Sequence, residues 1–184
     1  MQLKTLVLPL ALALATAGCA SSGGTDMLAA DAPRALPGSG PVSVRWEDPA
    51  GFSEVRRSPN SYEAARGSWL TDLATYLREQ AETRLPAGER LELTIVDVDR
   101  AGGYEPWRTG VHDVRVIRDI YPPRMTLHVR HYDAGGALVS EGERKLSDPA
   151  FLLGVTPIRQ TDPQRYEKRM IDSWLRRELD TAAR

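Results

Sequence analysis

Cysteine is all but missing from this chain: its 184 residues contain one, Cys19. A lone cysteine excludes an internal disulfide, and in an exported protein it would be a free thiol that needs an explanation. Lysine is nearly as scarce, with Lys4, Lys145 and Lys168 the only ones among 24 basic residues. Codon bias in a GC-rich bacterium accounts for this preference, with the bidentate pairing of arginine as the competing reading. A charge excess is lacking as well. The 25 acidic residues give a net charge of −1, and loss of residues 1–18 would remove only Lys4, leaving 23 basic against 25 acidic. That balance speaks against a nucleic-acid binder, which carries a basic excess or stripe. Long apolar runs are missing too. The longest, Leu6 to Ala17, is interrupted by Pro9 and Thr16; as a helix it spans roughly 18 Å, short of a ~30 Å hydrocarbon core.

What is present begins with that run. Lys4, the apolar stretch and Ala15-Thr16-Ala17-Gly18-Cys19 have the layout of a bacterial export signal: charged head, apolar middle, small-residue cleavage site. Two cleavages compete. Ala15-x-Ala17 suits the general signal peptidase, cutting before Gly18. Thr16-Ala17-Gly18-Cys19 resembles a lipobox, cut before Cys19, whose sulfur would then carry diacylglycerol, although Thr16 stands where leucine is usual. The single cysteine falls at the one position such an enzyme needs. The expectation is a signal peptide over 1–18 and an exported, periplasmic protein held to a membrane through a lipid on Cys19. Residues 19–40, rich in Gly, Ser, Pro and Ala, read as a flexible tether; about 20 residues of such coil have a root-mean-square span of roughly 25 Å.

Residues 41–184 have the size of one domain that buries a core without disulfides. Val42, Val44 and Trp46 alternate with polar neighbours and predict a strand closed by Asp48-Pro49. From Asn60 to Arg84 apolar residues fall three and four apart (Tyr62, Ala65, Trp69, Leu73, Leu77, Ala81), predicting an amphipathic helix stopped by Leu85-Pro86-Ala87-Gly88. Further strands follow at Leu91–Ile95, Val114–Ile120, Met125–Tyr132 and Leu138–Leu146, the last pair joined by the hairpin turn Asp133-Ala134-Gly135-Gly136. Thr161-Asp162-Pro163 places a cap before a helix-starting proline, and the helix beyond it aligns Tyr166, Met170, Ile171, Trp174, Leu175 and Leu179. The charges on that helix, Glu167 and Asp172 among them, read as a solvated face. The order β-α-β-β-β-β-α predicts an α+β domain: a mostly antiparallel sheet of about five strands with two main helices on one face.

Tests for assembled chemistry mostly fail. Asp97-x-Asp99 opens like a calcium loop, but Ala101 and Arg108 occupy positions that need oxygen ligands. His128 and His131 lie three apart, which on a strand sends them to opposite faces. His112-Asp113 has no companion ligand, and no G-x-S-x-G elbow, P-loop or dinucleotide fingerprint occurs. No cofactor, metal site or catalytic residue is assigned. Trp107 sits in a polar, Gly-flanked loop, where it either folds back over the sheet edge or meets a partner.

Polar density in the middle strands stands out. Asp97 shares strand parity with Leu91, Leu93 and Ile95, yet Val96 and Val98 are apolar on the opposite parity, so either a bulge intervenes or both faces are covered. Downstream come Asp113, Arg115, Arg118, Asp119 and, beyond the rigid Tyr121-Pro122-Pro123, Arg124. On the structural reading, Asp97 and Asp99 pair with Arg115 or Arg118, since a buried carboxylate needs a partner. The functional alternative is that Asp97, Asp99, Arg115, Arg118, Asp119 and Arg124 form a cleft whose arginines grip an anionic ligand such as a carboxylate or phosphate.

These pieces carry a resemblance. Val42-Ser-Val-Arg-Trp-Glu-Asp-Pro49 with Phe52, Leu85-Pro-Ala-Gly88, Val96-Asp-Val-Asp-Arg-Ala-Gly102, Asp113-Val-Arg-Val-Ile-Arg-Asp119, Tyr121-Pro-Pro-Arg124, Gly142-Glu143, Leu146-Ser-Asp148 and Asp162-Pro-Gln-Arg-Tyr-Glu-Lys168 through Trp174 resemble the family known as domain of unknown function 3016. The likeness runs from about residue 42 to 180 and departs at Arg100, where that family's pattern has an apolar residue. It implies the domain limits and a bacterial envelope address, and no mechanism. Two readings follow. The first is a non-enzymatic envelope protein that binds another envelope component; the second is a small-ligand receptor or enzyme using Asp97/Asp99 beside the arginines on an anionic substrate.

Overall fold

The computed structural model describes residues 26–29, 31–38, 40–107, 114–153, 158–159 and 161–182. Residues 1–18, Cys19 and Asp113 lie outside them. In chain order the elements are β1 (Val42–Trp46), a 3-10 turn (Pro49–Gly51), α1 (Ser53–Arg56), α2 (Ser61–Ala64), α3 (Trp69–Glu82), β2 (Arg90–Asp99), β3 (Gly103–Tyr104), β4 (Arg115–Val116), β5 (Arg124–Tyr132), β6 (Leu138–Ser147) and α4 (Arg165–Ala182). The domain is α+β: one mixed sheet in the order β1-β2-β5-β6 plus a small β3-β4 hairpin, with α3 and α4 as the two main helices. β1 runs parallel to β2, as a connection through a helix allows, and the other pairings are antiparallel.

Two elements differ from expectation. The strand expected over Val114–Ile120 shrinks to Arg115–Val116, because the chain turns immediately after it, with the Tyr121 N–H donating to the Arg118 carbonyl at 3.0 Å. The helix expected from Asn60 to Arg84 is broken into α2 and α3. Gly67 sits at φ +90°, in a region that a right-handed helix cannot pass through and that glycine enters without steric penalty. Trp69 closes the break by donating its indole N–H to the Ala64 carbonyl at 2.9 Å.

The core lies between the helices and one sheet face. α3 buries Trp69, Leu70, Leu73, Leu77 and Ala81, and α4 buries Met170, Ile171, Trp174, Leu175 and Leu179. They pack on the alternate residues Val42, Val44, Leu91, Leu93, Leu127 and Val129, as the two-residue and 3.6-residue periods dictate. Inside the stretch expected as tether, residues 34–36 lie along β1. Leu36 N–H donates to the Val44 carbonyl at 3.0 Å and Trp46 N–H to the Arg34 carbonyl at 2.8 Å, while Met27 is buried. This run covers the outer edge of β1. The other edge, β6, carries Glu141, Glu143, Arg144 and Lys145, charges that discourage strand addition.

The register of β2 settles the parity conflict. Ile95 pairs with Leu127 and Asp97 with Thr126, so Val96 is an extra residue, a β-bulge. Beyond it Val98 takes the core face and is fully buried, while Asp97 and Asp99 turn to the side where α1 and the hairpin lie. In an unbroken strand Val96 and Val98 would be equivalent; with the bulge they are not. Val98→Asp should therefore cost more than about 4 kcal/mol and Val96→Asp about 1 kcal/mol or less, measured by urea unfolding. Equal costs would contradict the bulge.

Candidate functional site

The C-terminal end of β2 organises a polar cluster. Asp97 accepts hydrogen bonds from the Ser53 backbone N–H (2.6 Å) and hydroxyl (2.8 Å). It thereby caps α1, whose N-cap residue, Phe52, offers no side-chain acceptor. The next residue of α1, Glu54, is buried. Its carboxylate accepts from the Arg100 backbone N–H at 3.1 Å and from the Arg100 guanidinium at 2.7 Å, and forms an ion pair with Arg115. Each guanidinium is also stacked, Arg100 over the Trp69 ring (4.7 Å) and Arg115 over Tyr104 (5.0 Å). The second terminal nitrogen of Arg115 points at the carbonyls of Arg100, Ala101 and Gly102 at 3.3–3.4 Å. Both arginines are therefore occupied in holding a buried charge that would otherwise be prohibitively costly.

Asp99 is handled differently. It pairs with Arg57 at 2.7 Å and with its cross-strand neighbour Arg124 at 3.6 Å. Burial pushes its carboxyl above the ordinary range, and the neighbouring Glu54 and Asp97 add to that push, against the pull of Arg57 and Arg124. Arg57, Asp99 and Arg124 form one wall of a cleft of about 210 Å³ that also takes in Glu54, Arg100, Tyr104, Arg115 and Tyr121. Four arginines face two carboxylates there, so the cleft is net positive. An adjoining hollow of about 200 Å³ shares Arg57, Asp99 and Arg124 and contains Asp97, Thr126 and Lys145. Tyr121 lies over Gly103, where a Cβ would come within 3.0 Å of the ring, so the cleft wall depends on a residue with no side chain.

Of the residues singled out in the sequence, Asp99, Arg115 and Arg124 meet in the cleft, and Asp97 lies in the adjoining hollow. Arg118 instead pairs at 2.7 Å with Glu105, which is buried and also accepts from the Tyr121 hydroxyl. Asp119 is exposed and accepts from the neighbouring Ile120 N–H at 3.0 Å. The expected pairing of Asp97 and Asp99 with Arg115 or Arg118 is thus corrected. The bulge directs both aspartates toward α1 and Arg57, and the hairpin arginines find Glu54 and Glu105. Trp107 does not fold back; it is 71% exposed. His128 and His131 do face opposite ways, His128 near Glu141 and His131 inward against Glu89 at 2.6 Å. Among the described residues no group of three or more His, Cys, Asp or Glu is placed to hold a metal.

Three buried glutamates escaped the sequence reading. Glu54 follows Phe52 and Ser53 in a stretch too short for periodicity to show its face. Glu105 sits in a loop. Glu167 left a signal: it stands three, four and seven residues before Met170, Ile171 and Trp174 and so shares their stripe. It is buried rather than solvated, as is Asp172, which accepts from the Tyr76 hydroxyl at 2.8 Å. Glu167 accepts from the Ala101 N–H at 2.6 Å, while its other oxygen is buried with no hydrogen-bond partner. Burial drives its carboxyl upward, only partly offset by that N–H and by Arg100.

A family model described as protein of unknown function (DUF3016) matches residues 40–177. The chain belongs to this family. No curated protein and no solved structure matches it. In this DUF3016 chain the site described above lies wholly within the matched span, and so do Glu54, Glu105 and Glu167. Arg100, where the sequence resemblance leads one to expect an apolar residue, is the residue that reaches Glu54 and stacks on Trp69.

Glu54→Ala removes the partner of two guanidiniums and should cost about 3–5 kcal/mol, against less than about 0.5 kcal/mol for Asp119→Ala at the exposed turn, both by denaturant unfolding. Glu167 gives a pH signature. Because its proton affinity is higher in the folded state, the native protein binds more protons above about pH 4.5, and its stability falls as pH rises from there through the raised folded value. Glu167→Gln should remove that component, so the wild type loses stability relative to the variant over this window.

Proposed function

We propose that this DUF3016 protein is an exported, membrane-anchored envelope protein whose domain is a non-enzymatic binding module for an anionic group. The address rests on the export signal and on the placement of Cys19. The binding role rests on the division of labour among the cleft arginines. Arg100 and Arg115 are committed to Glu54. Arg57 and Arg124 each give one nitrogen to Asp99 and keep 66% and 54% of their side chains exposed. A carboxylate or phosphate oxygen entering the cleft meets uncommitted guanidinium donors in fork geometry, which suits planar or tetrahedral oxyanions. The second reading, acid–base chemistry on an anionic substrate, narrows to Asp99. Its raised proton affinity and its place in the cleft favour that role, whereas both oxygens of Asp97 are taken by Ser53.

Calorimetric titration with inorganic phosphate tests the binding role. Removing charged hydrogen bonds by Arg57→Gln together with Arg124→Gln should weaken binding by roughly tenfold or more; the fold should persist with a modest drop in melting temperature, because both arginines are largely exposed while Asp99 loses its two partners. Unchanged affinity would overturn the assignment. Mass analysis of the mature N-terminus tests the address: a diacylglyceryl adduct on Cys19 supports the anchor, and an unmodified Gly18 start refutes it.

A further inference from the structure

The anion cleft has an apolar rim. Ile120, which lines it, is 57% exposed, and Ile117, Val114 and Trp107 on the adjoining β3-β4 arm are exposed as well. Single exposed aliphatics are ordinary, but these four fall within one arm of the chain. Tyr104 pairs with Arg115, so residues 105–107 and Val114 leave the ribbon side by side. Glu105 is held by Arg118 and the Tyr121 hydroxyl, which ties the strand leading to Trp107 to the turn that presents Ile120. The Gly102 N–H donates to the Tyr121 carbonyl at 3.0 Å and fixes that turn to the end of β2. Ile120 therefore shares the cleft with Arg57 and Arg124, and the braced arm that continues from it exposes Ile117, Val114 and Trp107.

We propose that this arm and the cleft together form a docking face for an anionic phospholipid bilayer. A headgroup phosphate sits between Arg57 and Arg124, and Trp107, Ile117 and Ile120 enter the interface beside it. The inference rests on the anion-binding reading of the cleft and names the class of anion. Its chemistry is that of interfacial binding: apolar side chains reach the acyl boundary, guanidiniums meet phosphates, and a tryptophan ring settles at headgroup depth. Four apolar side chains flanking a two-residue ribbon make a small patch beside the roughly 800 Å² per partner of a standard protein–protein interface. The net positive cleft that Ile120 lines matches an anionic surface.

The Cys19→Ser protein, recovered after export without a lipid, separates this face from any anchor. Co-sedimentation with vesicles of phosphatidylcholine, alone or with about a third phosphatidylglycerol, should show binding at least roughly tenfold stronger to the anionic vesicles. Trp107→Ser with Ile117→Ser should abolish most of that binding and leave affinity for soluble glycerol 3-phosphate unchanged. Trp107→Ser with Val114→Ser repeats the test away from the Ile117 contact with Gly102. Brominated lipids should quench tryptophan emission in the Cys19→Ser protein and far less once Trp107→Ser is added. Binding of glycerol 3-phosphate without vesicle binding, or vesicle binding indifferent to the apolar substitutions, would overturn the docking face and leave the anion cleft standing. Loss of both ligands in the unsubstituted domain would overturn the cleft reading and the docking face with it.

Discussion

A carboxylate with almost no contact with water, Glu54, anchors the polar half of this domain. Left alone, such a charge would cost several kcal/mol; here two stacked guanidiniums and a backbone N–H satisfy it. Those contacts come from three places in the chain: α1 supplies the acid, the end of β2 supplies Arg100, and the β3-β4 arm supplies Arg115. The short elements around it are too small to bury much apolar surface of their own. Their positions depend on this polar junction, together with the Asp97 cap on α1 and the Glu167 contact to Ala101. Satisfying Glu54 also occupies Arg100 and Arg115, which is why the cleft's free donors belong to Arg57 and Arg124.

The domain thus divides into two physical regimes. The α3, α4 and sheet layer is held by apolar burial, non-directional and tolerant of small adjustments. The cluster at the end of β2 is held by directional, charged hydrogen bonds whose partners cannot be exchanged without leaving a buried charge. The second regime fixes the positions of the side chains it uses. Arg100 and Arg115 are fixed by it, whereas Arg57 and Arg124, each tied to Asp99 through one nitrogen, keep more than half of their side chains exposed.

Most of the layered fold was legible from residue periods. Val42, Val44 and Trp46, the α3 stripe from Trp69 to Ala81 and the α4 stripe from Met170 to Leu179 all bury as their spacing implies. The conflict between Asp97 and Val98 was visible too, because two apolar residues on the wrong parity demand a bulge or a second covered face. The charge partners were not legible. Asp97 meets Ser53, and Glu54 meets Arg115 sixty-one residues away, pairings fixed by how α1 and the hairpin return to one strand end. Short elements such as α1 and β4 carry too few residues for a period to show. Glu167 could have been read from its place on the apolar stripe, where its charge concealed its burial.

The arginine side chains themselves report the central claim. Nitrogen-15 NMR of the guanidinium Nε–H groups, followed while inorganic phosphate is added, distinguishes committed from available donors. The signals of Arg57 and Arg124 should move with added phosphate, while those of Arg100 and Arg115 stay fixed and exchange slowly with solvent. Phosphate-dependent shifts at Arg100 and Arg115, with Arg57 and Arg124 silent, would contradict it.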